Sequence, residues 1–330
     1  MDRFRVLTWH VHGSYLDSLI RTGHEFFLPV EPDGSGGVGD WGWPPDVVHE
    51  VPVDIARDLD VDLVLTQSVA NLEAAPRVLS SSQLRGPRIH VEHDPPLGNP
   101  TDTRHPVDDP DVLLVHVTAY NDLMWDSGRT PTRVIEHGVH VPDGVRYSGE
   151  LDRGIVVVNN LRSRGRRLGL DVFERARAAV PLDLVGMDAA SLGGLGEVRR
   201  DELPAFEARY RFFFHPIRYT SFGMAVCEAM MVGLPIVGLL TTEMPTVIVD
   251  REAGLVDTDV GRLIDGMGTL LRDPGLAREL GERAREIALD RFSMERFGVE
   301  WTAAMRDVVG RKTPVRAAAA AGASGAGGRP

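Results

Sequence analysis

The segment from Tyr219 to Leu240 is almost entirely apolar, yet it carries a carboxylate, Glu228, near its middle. The spacing of its apolar residues predicts a helix over 222–232, followed by a short strand. A helix that begins at Phe222-Gly223 presents free backbone N–H groups and the positive end of its dipole, which favour a phosphate. Gly223 would let the backbone approach closely, and Glu228 further along could accept hydrogen bonds from two vicinal hydroxyls. The alternatives for Glu228 are an arginine partner or a solvent-facing position.

A second candidate for chemistry is a loop rich in arginine that follows a predicted strand in the second half of the chain. Four arginines fall within six residues: Arg162, Arg164, Arg166 and Arg167. Guanidinium groups this close repel one another unless they meet anions or solvent, and paired N–H donors suit arginine to phosphate. We therefore predict phosphate contacts, preferably from Arg162 and Arg167. The alternative is a solvated charge run.

Histidines lie at the ends of two predicted strands of the first half. His10 and His12 follow the first strand, and His90 and His93 follow another. Their spacings would suit a metal ion, but two ligands do not make a site. We predict no metal site here, and a buried structural role remains the alternative for His93.

The loop over 31–46 contains a literal GxGxxG at 34–39. That motif binds a dinucleotide only between a strand and a helix, and the sequence DWGWPP that follows cannot start a helix cleanly. We therefore reject a dinucleotide site. The loop also carries Trp41 and Trp43, whose faces could stack on a sugar ring, so it is either an acceptor-side lid or a packed surface loop.

Parallel sheets are the elements that would position these residues. Apolar runs predict strands at 4–9, 61–66, 88–91 and 112–117, and then at 155–158, 182–185 and 211–214. Runs of this kind alternating with helices are typical of parallel sheets covered on both faces, with ligands beyond the carboxyl ends of the strands. The predicted fold class is α/β, with two facing Rossmann-like domains and a cleft between them.

We place the two domains at 1–145 and 153–310, with a linker at about 142–153. The sequence from 314 to 330, PVRAAAAAGASGAGGRP, is too rich in Ala and Gly to bury a core, and we predict a disordered tail there.

The composition disfavours some classes of binding partner and indicates a compartment. A net charge of −12 disfavours a large nucleic-acid interface, although a local basic patch remains compatible with it. The one cysteine, Cys227, cannot form an internal disulfide, which fits a reducing compartment.

A membrane span needs about 20 apolar residues, and Glu228, Gly233 and Pro235 interrupt the longest run. The amino-terminal residues lack the apolar run of a signal peptide.

Three blocks appear in order in the second half: RFFFHPIRYTSFG, MAVCEAMMVGLPIVG and TTEMPTVIVDREAGLVDTD. Together they resemble glycosyltransferase family 4 (glycosyl transferases group 1), the retaining enzymes of GT-B fold. The resemblance covers about 155–310 and is weaker over 1–150. It implies that the second domain binds a nucleotide sugar and that the first lies on the acceptor side.

The resemblance also implies roles for individual residues. Glu228 would hold the ribose hydroxyls, and His93 and Thr220 would lie at the reacting sugar as catalytic residues. The remaining contacts to the nucleotide sugar would come from Gly13, Ser14, Asn160, Arg162, Arg167, Phe222, Gly223, Thr242, Glu243 and Met244.

This chain departs from the family pattern at three places. Thr220 stands where the first Glu of the family's Glu-x7-Glu pair is expected, and Thr246 replaces a later Glu, for which Glu243 could compensate. Asn159-Asn160 falls where the family has Gly-Arg. Either the donor is unusual, the geometry differs, or activity is lost.

The resemblance predicts a metal-independent, hexosyltransferase-like enzyme of the cytoplasm, without a cofactor. It would transfer a sugar from a UDP- or GDP-linked donor to a carbohydrate or other small-molecule acceptor, with retention of configuration. Nucleic acid and a membrane span are not expected as partners, and peripheral membrane contact stays open. The alternatives are a non-catalytic partner that binds a sugar nucleotide and a nucleotide-sugar epimerase of GT-B fold.

Overall fold

A computed structural model describes residues 3–312, and the predicted tail at 314–330 lies outside them. The chain forms two parallel sheets, of seven and five strands. The orders are β3-β2-β1-β4-β5-β6-β7 and β12-β11-β10-β8-β9. Each sheet with the helices packed on it is called a lobe below, the first containing the seven-stranded sheet. The predicted α/β class with parallel sheets is confirmed.

The strands of the first sheet are β1 Arg5–Thr8, β2 Glu25–Val30, β3 Val48–Pro52, β4 Leu63–Thr66, β5 Arg88–Glu92, β6 Val112–His116 and β7 Thr132–Val134. Those of the second are β8 Leu151–Val157, β9 Leu182–Val185, β10 Tyr210–His215, β11 Ile236–Leu239 and β12 Gly254–Asp257. All seven strands predicted from apolar runs are present. β8 begins four residues before its predicted start, inside the segment expected to be a linker.

The helices that precede the second sheet are α1 Gly13–Ile20, α2 Val69–Val78, α3 Ser81–Arg85 and α4 Ala119–Met124. The others are α5 Leu161–Arg164, α6 Leu170–Arg177, α7 Leu203–Glu207, α8 Met224–Val232, α9 Met244–Val247, α10 Val260–Arg272, α11 Pro274–Arg291 and α12 Met294–Lys312. Among the described residues, no helix has the length and apolar character needed to cross a membrane.

Apolar strands buried on both faces hold each sheet in place. Every residue of β6 and of β10 is buried, as expected for parallel strands covered by helices on both sides. Side chains at some helix starts add local stability by accepting backbone N–H groups. Ser68, Thr118 and Asp273 do so for α2, α4 and α11.

The last helix returns to the first sheet. Phe297, Trp301 and Met305 of α12 are fully buried in the same core cluster as Val6 and Ile89 of the first sheet. The predicted domain bounds stay a prediction, but residues 294–310, which were assigned to the second domain, pack on the first lobe.

The glycine-rich motif at 34–39 lies in the loop between β2 and β3. A single turn of 3-10 helix, Gly39–Trp41, follows it. Because no α-helix begins there, the loop has no helix end to hold a pyrophosphate.

Candidate functional site

The start of α8 is open. Its N-cap residue, Gly223, has an extended backbone, and no side chain caps the helix. A Cβ added at Gly223 would meet nothing within 4 Å, so the backbone is accessible from outside. The preceding residue, Phe222, is buried and stacks on Phe292 with ring centroids 5.7 Å apart. The side chain of Phe222 is therefore packed away from any ligand. Val226 donates its N–H to the carbonyl of Gly223, whereas the N–H groups of Met224 and Ala225 have no partner among residues 3–312 and suit an anion.

Glu228, on the same helix, lies in the wall of a cavity of about 720 Å³ between the two lobes. The other lining residues are Asp17, Arg21, Asp40, Trp41, His140, Pro142, Arg199, Arg200, Asp201 and Pro204. Burial raises the pKa of Glu228 to about 7; Arg200 opposes this shift and Asp17 adds to it. Glu207 beside it is fully buried, and neither of its carboxylate oxygens has a hydrogen-bond partner among residues 3–312.

One wall of this cavity is a contact between the lobes. Arg200 Nη2 lies 3.0 Å from Asp17 Oδ2 on α1, and its guanidinium sits 4.7 Å from the ring centroid of Trp41. Trp43 stacks on Trp41 at 5.1 Å and donates its indole N–H to Asp17 Oδ1 at 3.0 Å. Trp41 is thus packed between protein groups at the cavity wall, stacked by Trp43 and contacted by Arg200, which favours the packed-loop interpretation over a free sugar-stacking face. Sequence reasoning missed Arg200, because no motif marks it.

Gly13 and Ser14 begin α1 directly after β1, at the carboxyl edge of the first sheet. A Cβ added at Gly13 would lie 2.0 Å from Trp41 Cζ2. Packing by Trp41 therefore requires glycine at this position. The predicted diphosphate contact of Gly13 and Ser14 stays a prediction.

The arginine loop separates into members with different surroundings. Arg162 hydrogen-bonds the hydroxyl and carbonyl of Ser191, and Arg166 pairs with Asp171. The Nη1 atom of Arg167 is buried, without a hydrogen-bond partner in the described part of the chain. Arg167 therefore keeps a buried donor free for an anion, whereas two nitrogens of Arg162 are already bound by Ser191.

Asn160 starts the arginine loop in a left-handed conformation, with φ of 55°. Its N–H donates to the carbonyl of Met187 at 2.8 Å. Arg164 is not among the arginines preferred from the sequence. Burial, followed by the charge of Arg167, lowers its pKa, and the nearby Asp94 carboxylate opposes this shift.

The predicted turn over 242–244 touches the first lobe. Thr242 has a positive φ of 50°, and Met244 is buried. One oxygen of Glu243 accepts the backbone N–H of Tyr120 at 2.7 Å, and the other accepts the hydroxyl of Thr246. Both oxygens of Glu243 are thus bound by the protein. That Glu243 compensates for the acid missing at Thr246 stays a prediction.

His93 lies at the carboxyl edge of the first sheet, one residue after β5. Its ring contacts those of His12 and Tyr15, with centroid distances of 4.2 and 4.7 Å. Burial, followed by His12 and His137, holds its pKa well below the usual value, so the imidazole is neutral. Its Nε2 atom is buried without a hydrogen-bond partner among residues 3–312.

The fold brings His105 to His90 and Glu92, and the three ligand atoms lie within 4.8 Å of one another. Sequence reasoning missed this cluster, because His105 comes from a loop. His105 Nδ1 accepts the N–H of Val107 at 3.0 Å, so its proton lies on Nε2, which is 3.1 Å from Glu92 Oε2. A metal at Nε2 would need that proton on Nδ1 instead. Within the cluster, His105 and Glu92 therefore form a hydrogen-bonded pair, while His90 bonds the hydroxyl of Thr66.

Comparison with known proteins agrees with this architecture. Residues 152–273 match the family described as Glycosyl transferases group 1. N-acetyl-alpha-D-glucosaminyl L-malate synthase of Bacillus anthracis is 33% identical over 91 residues, which are 27% of this chain and 24% of that protein. The chain thus matches about a quarter of the length of this curated relative.

Solved structures that resemble more than nine-tenths of the chain include the following two. Sucrose-phosphate synthase from Thermosynechococcus elongatus has a TM-score of 0.70 at 15% identity, covering 94% of this chain and 100% of that one. Anabaena HepE in complex with UDP-glucose has a TM-score of 0.65 at 15% identity, covering 92% and 100%. At this identity the likeness shows the fold alone, and it confirms the predicted GT-B fold.

Proposed function

We propose that this protein is a glycosyltransferase that moves a sugar from a nucleoside-diphosphate sugar to an acceptor, with retention of configuration. The observation that carries the proposal is α8. Its uncapped N-terminus and its carboxylate, Glu228, lie on one helix, and Glu228 opens to the cavity between the lobes. An anion site and a hydroxyl site at this spacing fit a diphosphate and the ribose attached to it.

In this proposal the second lobe binds the donor. The backbone N–H groups of the first turn of α8 and the free Nη1 of Arg167 hold the diphosphate, and Glu228 holds the ribose hydroxyls. These groups also stabilise the negative charge that develops on the departing diphosphate, so the proposed reaction uses no metal. The donor is UDP- or GDP-linked, as the resemblance implies.

The first lobe supplies the acceptor side. Transfer with retention follows a front-face displacement, in which the leaving phosphate takes the proton of the acceptor hydroxyl. His93 is neutral and therefore contributes hydrogen bonding and shape rather than positive charge. The buried free thiol of Cys227 fits the reducing cytoplasm that we propose as the compartment.

Release of free nucleoside diphosphate tests this proposal. The purified chain is incubated with UDP-glucose, UDP-N-acetylglucosamine or GDP-mannose and a panel of sugar acceptors. We expect release from at least one donor, and a product with the donor's anomeric configuration by NMR. A folded chain that neither binds nucleotides nor releases any of them would refute the proposal.

A second candidate is a non-catalytic partner that binds sugar nucleotides. It is favoured by Thr220, which carries no charge, and by Glu243, whose two oxygens are occupied by Tyr120 and Thr246. Tight binding of a sugar nucleotide without turnover, with every acceptor tried, would support this candidate over the enzyme.

A further inference from the structure

Two short segments from opposite lobes meet at the edge of the cleft. Thr220 Oγ1 of the second lobe donates to Asp94 Oδ1 of the first at 3.2 Å. The neighbouring Tyr219 hydroxyl donates to the carbonyl of Pro96 at 2.9 Å. Position 220 lacks a carboxylate of its own, but the carboxylate of Asp94 from the first lobe lies next to it.

The backbone of Asp94 is fixed from both sides. Its N–H donates to Glu92 Oε1 at 2.9 Å, and its carbonyl accepts the indole N–H of Trp125 at 2.9 Å. The second oxygen of Glu92 is held by Nε2 of the buried His105. These partners hold the backbone at Asp94, and the hydrogen bond from Thr220 orients its carboxylate.

The Asp94 carboxylate keeps capacity for a ligand. Within residues 3–312, the carboxylate accepts a hydrogen bond from Thr220 at Oδ1 and none at Oδ2. Arg164 acts on it as a nearby charge and forms no ion pair with it within 4.0 Å. The residue is half-buried. A partly desolvated carboxylate with an unused oxygen calls for a hydrogen-bond donor, and a ligand hydroxyl is the neutral group that supplies one.

The hydroxyl of Thr220 adds a second contact point. It gives its proton to Asp94, so its lone pairs remain free to accept a hydrogen bond. Thr220 lies three residues before the N-cap of α8, Gly223. A sugar joined to a phosphate at that helix end would extend toward this pair.

We propose that Asp94 and Thr220 together bind two neighbouring hydroxyls of the donor's sugar. Asp94 Oδ2 accepts from one hydroxyl, and Thr220 Oγ1 accepts from the other. The inference rests on the proposed function, and it makes sugar recognition a joint property of both lobes, whereas the nucleotide is held by the second lobe alone.

The test separates sugar binding from nucleotide binding. Calorimetry compares the affinities of UDP and GDP with those of UDP-glucose, UDP-N-acetylglucosamine and GDP-mannose, for wild type, Asp94→Asn and Thr220→Val. We expect either substitution to weaken the preferred sugar nucleotide by about tenfold or more, the usual loss for a hydrogen bond to a charged group. The affinity of the matching nucleoside diphosphate should change by less than about twofold.

Two further variants sharpen the test. Asp102→Asn removes an exposed carboxylate from the same loop and should bind like wild type. The double variant Asp94→Ser with Thr220→Glu returns a carboxylate from the second lobe, and it should recover part of the lost affinity. Thermal unfolding verifies that each variant is folded.

The outcomes are distinct. Wild-type affinity for the sugar nucleotide in both Asp94→Asn and Thr220→Val overturns this inference and leaves the proposed function standing. Equal weakening of the nucleoside diphosphate and its sugar conjugate also overturns it, because the pair would then act on the nucleotide. A wild-type chain that binds neither UDP nor GDP overturns the proposed function and this inference with it.

Discussion

The two lobes present opposite chemistry at the carboxyl ends of their sheets. The first lobe offers neutral imidazoles and carboxylates: burial lowers the pKa of His90 to about 3, and Asp94 and Asp17 point toward the second lobe. The second lobe offers guanidinium groups and the open end of α8. Cations and free backbone N–H groups belong where a diphosphate binds, whereas carboxylates suit hydroxyls.

The carboxyl edges of the two parallel sheets are alike in architecture. The comparison teaches that the charged groups placed there adapt each edge to a different ligand. Polar contacts across the cleft include three that pair an acid of one lobe with a donor of the other: Asp17 with Arg200, Asp94 with Thr220, and Glu243 with the N–H of Tyr120. The predictions below test the groups of the second lobe, most of them through nucleotide binding and one through stability.

Loss of Glu228 should have the largest effect. Glu228→Ala is expected to weaken the binding of UDP or GDP by about 100-fold, because hydrogen bonds to charged groups contribute about 1.5–3 kcal/mol each. Calorimetry measures this, with Glu252→Ala, an exposed glutamate of the same lobe, as the matched control. Unchanged affinity in Glu228→Ala would remove the ribose assignment and with it the division of labour between the lobes.

Glu207→Gln should stabilise the protein at alkaline pH. Burial raises the pKa of Glu207 well above its usual value, so the folded state keeps a proton that the unfolded state loses above about pH 4.5. The contribution of protonated Glu207 to the free energy of unfolding is therefore complete below about pH 4.5 and is lost as the pH rises through the raised pKa. The amide has no proton to lose, and we expect a gain of about 1–3 kcal/mol at pH 8 that vanishes toward pH 4.

Chemical denaturation at both pH values measures this gain. Glu174→Gln, on the exposed side of α6, should change little. Equal effects of Glu207→Gln at pH 4 and pH 8 would contradict a protonated Glu207.

The arginine loop gives a comparison within one lobe. Arg167→Ala should weaken nucleoside diphosphate binding by about tenfold, because its free donor is the one placed for an anion. Arg162→Ala should change it by less than about twofold, since Arg162 is engaged by Ser191. The reverse ranking of the two affinities would show that the loop rearranges when the donor binds.

The pH dependence of nucleotide binding should be the smallest effect. Glu228 has a pKa of about 7, so it gains a proton between pH 8 and pH 6 and becomes a weaker acceptor. Affinity should fall by about fivefold over this range. Titration of the ligand's phosphates affects wild type and Glu228→Gln equally. The difference between the affinity–pH profiles of the two proteins therefore reports the titration of Glu228. Identical pH profiles would place the titration elsewhere.

Local patterns predicted much of the second lobe. The helix expected over 222–232 begins at Met224 and ends before Gly233, whose φ of 103° stops it. β2 escaped prediction because Pro29 interrupts its apolar run, and proline argues against a central strand. β3 escaped because His49 and Glu50 break its apolar run. The short helices α1 to α4 likewise carry too few turns for a clear apolar period.

The site was predicted in part, for a physical reason. Glu228 and the helix end share one element, so the sequence places them together. Asp94 and Thr220 are 126 residues apart and meet only because the lobes face each other. No local pattern records that meeting, nor the return of α12 to the first sheet.

That return of α12 has a mechanical consequence. The chain passes from the first lobe to the second through residues 135–150 and comes back at 292–294, and the two passages lie side by side. The N–H of Val139 donates to the carbonyl of Phe292 at 3.0 Å, and Arg296 donates to the carbonyls of Glu136 and His137. These two adjacent connecting segments form a hinge between the lobes. The cleft can therefore open by rotation about the connecting segments, while sliding of one lobe past the other is restrained.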